Sequence, residues 1–155
     1  MARTTLAISM AGLCLVALTG CVPLNKFGMT LEGDVLQVGI CEETSGTTLV
    51  GWRQGPRDEY AIDYWVAEGS GSFKVGDIVT VGQPPEGFET TMWNEPQLSA
   101  EDNIGLRIVD DGNDVWVSGE RVSNFTSGKW VTQTGASGSE PCRDGGARMD
   151  SVSTR

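Results

Sequence analysis

The chain has 155 residues, with 21 acidic side chains against 11 basic ones and no histidine, so its formal net charge is −10. A surface of that sign is a poor match for nucleic acid, and no nucleic-acid partner is expected. The missing imidazole removes Ser-His-Asp and Cys-His centres, HExxH motifs and histidine-based zinc sites, and no cofactor is expected.

The first element is an apolar run from Leu6 to Ala17, preceded by Arg3 and interrupted by Ser9 and Gly12. It is shorter than the roughly 20 apolar residues a membrane-spanning helix needs. A charged start, a short apolar middle and small residues at the end form a secretion signal. Leu18, Thr19, Gly20 and Cys21 follow, and this tetrad resembles the lipobox of bacterial lipoproteins. The resemblance implies cleavage before Cys21, a thioether-linked diacylglycerol on its sulfur, and palmitate-type acyl chains. Two or more such chains hold a protein stably on a membrane without spanning it. The expected location is therefore the extracytoplasmic face of the cell membrane, with the membrane itself as a partner through Cys21. The alternative is an ordinary signal peptide that leaves Cys21 as a thiol. The expected organisation is a signal peptide over 1–20, a tether over 21–33 containing Pro23, Asn25 and Lys26, a domain over 34–133, and a Gly/Ser-rich tail over 134–155. A tether of that length reaches at most about 40 Å. In the part that follows the signal, 21 acidic residues face 10 basic ones, a net of −11.

Of the four cysteines, Cys14 leaves with the signal and Cys21 is taken by lipid. Cys41 and Cys142 remain as a pair in an oxidising compartment, where a disulfide is the default. They stand 101 residues apart, a separation for which chain-entropy reasoning gives up to about 4.7 kcal/mol. Such a bridge would tie the C-terminal tail to the first strand of the domain, at its periphery.

Along the domain the pattern alternates. In Asp34–Cys41, Leu36, Val38 and Ile40 share one face. Thr47–Arg53, Tyr60–Ala67, Gly76–Val81, Phe88–Trp93, Ile104–Asp110, Asp114–Val122 and Lys129–Gln133 behave alike, separated by GSGS, QPPEG, DDGND and SGK. About eight short antiparallel strands with regular turns predict an all-β fold, a single β-sandwich with a barrel as the alternative. Only LSAEDN (98–103) suggests a helical turn, with Ser99 as its cap. Cys41 followed eleven positions later by Trp52 resembles the strand-B cysteine and strand-C tryptophan of immunoglobulin-like sandwiches. That resemblance implies a core position for Trp52. The match ends at Cys142, which has no tyrosine two positions before it.

Three constellations could carry chemistry. DDGND (110–114) concentrates oxygen ligands for calcium, but it lacks EF-hand spacing, and Asp-Gly is a hairpin turn by backbone preference. Trp65 and Trp116 lie, by strand parity, on the more polar faces of their strands, with Asp63 beside Trp65. Exposed tryptophans next to a carboxylate suit sugar or aromatic-rich ligands. Adjacent carboxylates such as Asp58 and Glu59 or Asp110 and Asp111 point to opposite strand faces and cannot flank one bond. The expectation is a non-enzymatic, lipid-anchored binding module that contacts an envelope protein or glycan through a face bearing Trp65, Trp116 and Asp63. The rival is an accessory subunit of a membrane complex with no ligand of its own.

Overall fold

A computed structural model describes residues 25–142. The segments expected to form a signal peptide and a lipobox, with Cys21, and the residues beyond Cys142 lie outside the described residues. Eleven strands form: β1 (Phe27–Glu32), β2 (Val35–Ile40), β3 (Thr44–Gln54), β4 (Ile62–Phe73), β5 (Ile78–Thr80), β6 (Phe88–Trp93), β7 (Asn103–Asp110), β8 (Asn113–Val117), β9 (Glu120–Arg121), β10 (Trp130–Thr132) and β11 (Ser137–Gly138). One 3-10 turn spans Val122–Asn124. The strands build two antiparallel sheets, ordered β11-β10-β1-β2-β5 and β6-β4-β3-β7-β8, with β9 also paired to β7. The sheets do not close on each other, so the domain is a β-sandwich and not a barrel.

Alternation explains the core. Met29, Leu36, Val38, Ile40 and Val79 from the five-stranded sheet meet Leu49, Ala67, Leu106 and Ile108 from the six-stranded sheet. The face predicted for Leu36, Val38 and Ile40 is the buried one. Seven of the eight strands anticipated from alternation are present, Phe88–Trp93 with the anticipated ends and the others with shifted ones, while the segment anticipated as one strand over Asp114–Val122 divides into β8, β9 and the start of the 3-10 turn.

Four further features differ from the sequence reading. The segment assigned to a tether contains β1, which pairs with β2 over its whole length, from Phe27↔Ile40 to Glu32↔Val35. Gly28 and Gly33 suggested a linker, but Phe27, Met29 and Leu31 alternate as a strand does. The GSGS stretch (69–72) lies inside β4 and not in a turn. Its glycines serve close approach: a Cβ on Gly69 would meet the Gly87 carbonyl, and one on Gly71 would meet the Phe88 ring. The LSAEDN segment forms a tight turn and not a helix, closed by the Asp102 amide donating to the Ser99 carbonyl at 3.1 Å. Finally, the chain assigned to a tail is ordered through Cys142 and adds β11.

The disulfide forms as expected, joining Cys41 and Cys142 with their Cα atoms 5.3 Å apart. It lies at the edge of the fold, next to the end of β2. Just before it, Pro141 rests on the outer face of the five-stranded sheet over Gly28 and Gly39, which are cross-strand partners. A Cβ on Gly28 would come 1.8 Å from the Pro141 carbonyl oxygen, and one on Gly39 would come 2.2 Å from the Pro141 Cβ. Two glycines side by side thus make the seat that lets the C-terminal segment cross this face. The immunoglobulin-like reading of the Cys41–Trp52 pair does not hold, because this bridge does not pin the two sheets through the core and Trp52 is not in the core cluster.

Candidate functional site: the outer face of the six-stranded sheet

Trp65 and Trp116, expected at the surface, are buried, with relative exposures of 0% and 5%. Two different physical reasons apply. In β4 the register runs Gly51↔Trp65 and then Trp52↔Asp63, so Tyr64 has no opposite residue. A bulge of this kind breaks period-two alternation, and Tyr64 and Trp65 both enter the core. The Trp65 indole N–H donates to Thr90 Oγ1 at 3.1 Å. In β8 the alternation itself is right, with Trp116 opposed to Val115 and Val117, but the inward side is the one bearing Trp116. Val115 and Val117 are the exposed residues, while Trp116 packs edge-on against Phe27 with ring centroids 5.9 Å apart. Ser118, also on the inward side, is fully buried and its hydroxyl bonds the Leu106 backbone.

Asp63 alone of the three anticipated face residues lies at the surface, and the structure gives it other neighbours. On the side of the six-stranded sheet away from the core, one cross-strand row reads Met92, Val66, Val50, Arg107, Val117. Trp52 begins the next row, opposite Asp63 on one side and Gly105 on the other. Its six-membered ring lies against two glycine backbones: a Cβ on Gly105 or Gly119 would come within 2.7 Å of it. The ring is partly exposed, and its N–H is buried without a partner. The Arg107 guanidinium is held between Asp63 and Asp114, donating to Asp63 through Nη2 and lying 3.7 Å from the Asp114 carboxylate through Nη1. The result is an aromatic ring, a carboxylate and a fixed planar cation side by side.

Asp63 also borders a groove of about 430 Å³ lined by Arg53, Ile62, Tyr64 and residues 94–97. Arg53 Nη1 donates to Asp102 Oδ2 at 3.2 Å and to the Gln97 carbonyl at 3.3 Å, which ties the 94–102 loop to the end of β3. Burial alone would raise the Asp102 carboxyl, but the Ser99 amide at 2.9 Å, the Ser99 hydroxyl at 2.8 Å and the Arg53 cation together hold it below the usual carboxylate range. Burial pushes the Tyr64 hydroxyl well above its ordinary range, so it stays neutral. Ile62 and Tyr60 stand exposed at this end.

The other candidates have structural accounts. Asp111 and Gly112 take positive φ values of 47° and 76°, and Asp110 pairs with Asn113, so DDGND is a two-residue hairpin of the type in which both central residues have positive φ. Asp58 accepts the Gly55 amide at 2.9 Å and closes a turn. Among the described residues no group of three or more His, Cys, Asp or Glu side chains is placed to hold a metal ion.

Sequence reasoning missed Trp52 and Arg107. Val50 and Trp52 alternate with Leu49 and Gly51 in an apolar run, so parity alone did not say which set faces the core. The one legible signal was Arg53 and Gln54 after it, marking the end of the buried stretch. Comparison with protein-family models, curated proteins and solved structures found no match for this chain.

Proposed function

We propose that the chain is a lipid-anchored binding module on the extracytoplasmic face of a bacterial membrane, and that its contact surface is the Trp52–Asp63–Arg107 cluster. The Leu18–Cys21 tetrad supports the anchor. The observation that carries the binding reading is the juxtaposition of a partly exposed tryptophan with a carboxylate and a clamped guanidinium on the outer face of the six-stranded sheet. An indole offers apolar contact area at low entropic cost, and Arg and Trp are the residue types enriched at energetic centres of interfaces. An envelope glycan or an envelope protein suits this chemistry.

The test is affinity measured on a glycan array and by cross-linking in intact envelopes, with the wild-type chain and its Trp52→Ala and Arg107→Ala variants. Each variant is expected to lose about 2 kcal/mol of binding or more, roughly 30-fold, while staying folded. Binding unaffected by both changes contradicts this surface. A wild type with no ligand in either format favours the accessory-subunit reading. The anchor is tested separately: Cys21→Ala should abolish incorporation of labelled fatty acid.

A further inference from the structure

The point where the chain enters the domain fixes which end can meet a membrane. Residues 22–26 are all that separate Cys21 from the start of β1 at Phe27. Fully extended, they allow at most about 20 Å between Cys21 and Phe27. Hydrogen bonds tie the neighbouring chain segments to this entry point. The Cys41 amide donates to the Lys26 carbonyl at 2.9 Å, the Gly76 amide to the Ile40 carbonyl at 2.8 Å, and the Ile40 amide to the Asp77 carbonyl at 2.8 Å. With strands about 4.8 Å apart, the 74–77 turn lies about 10 Å from the entry point.

That turn and the start of β5 expose two large aliphatic side chains next to the charged Lys74 and Asp77. Val75 is 59% exposed and Ile78 49% exposed. Ile78, Pro141 and Cys142, with Gly76 and Glu140, line an open groove of about 430 Å³. Two large aliphatic side chains projecting beside a lipid attachment point have a ready apolar phase to enter. The charges around them restrict which lipid: Glu42, Glu43, Asp77 and Glu140 outnumber Lys26 and Lys74, and Lys26 is already paired with Glu42 at 3.2 Å. Such a rim is repelled by anionic headgroups within a Debye length and tolerates uncharged or zwitterionic ones.

We propose that this end of the sandwich rests on the bilayer, with Val75 and Ile78 at the headgroup boundary of zwitterionic lipid. The inference rests on the lipid anchor at Cys21. It orients the whole domain: from Thr44 to Trp52, β3 rises about 26 Å along the strand, so the Trp52 cluster and the groove beside Asp63 stand at the end turned away from the membrane.

The experiment places a photo-reactive benzoylphenylalanine at Val75, at Ile78 or, as a control at the opposite end, at Tyr60, in the full chain expressed with its signal. The acylated protein is reconstituted in phosphatidylcholine vesicles and irradiated, and lipid adducts are read by mass spectrometry. Strong adducts from positions 75 and 78 with none from position 60 are the expected result, together with a loss of adducts when phosphatidylglycerol replaces part of the phosphatidylcholine. Acylated protein that gives no more adduct at 75 and 78 than at 60 overturns the proposal and leaves the anchor intact. A chain whose Cys21 carries no acyl group overturns the anchor reading and the proposal with it.

Discussion

The two outer faces of the sandwich obey the same alternation and end in opposite states. On the five-stranded sheet, the outward positions at the centre are Gly28 and Gly39, and Pro141 lies on them with a disulfide locking the segment down. On the six-stranded sheet, the outward positions at the centre are Val50, Arg107 and Trp52: Val50 is buried among its neighbours and Ser118 and Gly119 lie against Gly105 and one side of the Trp52 ring, but Arg107 and Trp52 stay partly exposed. What decides between a covered and an open face is the volume of the outward side chain at two or three positions. A glycine pair makes a trough that a chain can occupy, while an arginine between two carboxylates fills its own space and stays in contact with water.

The comparison breaks most severely if the lock is removed. Replacing both Cys41 and Cys142 with serine should cost about 2 to 5 kcal/mol, the usual range for a native disulfide. Denaturant unfolding measures the loss, and hydrogen exchange should show it concentrated in β10, β11 and the β1 amides that pair with β10. A smaller effect is expected when the trough is filled while the disulfide is kept. Gly39→Val puts atoms where Pro141 sits and should cost about 1 to 3 kcal/mol as overpacking, read as a lower Tm.

The open face should respond to pH through its neighbouring loop. Asp102 is held in its charged form by Ser99 and Arg53, so its folded pKa lies below its unfolded value. The stability it contributes is fully present above the unfolded carboxylate pKa of about 3.9 and is lost as pH falls through the folded value. Asp102→Asn should flatten the acid limb of the stability profile below about pH 4, and it should lower stability at neutral pH by about 1 to 3 kcal/mol, because Arg53 and Ser99 lose a charged acceptor.

Alternation and turn chemistry made most of the fold legible. The inward set of β2 could be read directly because Leu36, Val38 and Ile40 alternate with small or polar residues. The anticipated binding face failed where local rules do not carry the information. A bulge at Tyr64 depends on how β4 meets β3, and nothing in Tyr60–Ala67 announces it. In β8 both sides of the strand hold apolar residues, so the choice between Trp116 and its valine neighbours is made by the Phe27 ring arriving from a strand 89 positions earlier. β1 escaped notice for a related reason: its glycine looks like linker composition until Pro141 is seen to need it. Asp63 was legible as a surface carboxylate, but its partners Trp52 and Arg107 come from β3 and β7 and meet it only across the sheet.

The central claim is that Trp52 packs on the outer face of the six-stranded sheet, while Trp65 and Trp116 belong to the core. Denaturant unfolding of Trp52→Ala, Trp65→Ala and Trp116→Ala tests it without knowledge of the ligand. Trp65→Ala and Trp116→Ala should each cost about 3 to 5 kcal/mol, as large-to-small changes in a packed core do. Trp52→Ala should cost clearly less, since its ring is partly exposed. Equal destabilisation in all three, or a larger loss at Trp52 than at Trp65, would contradict the account.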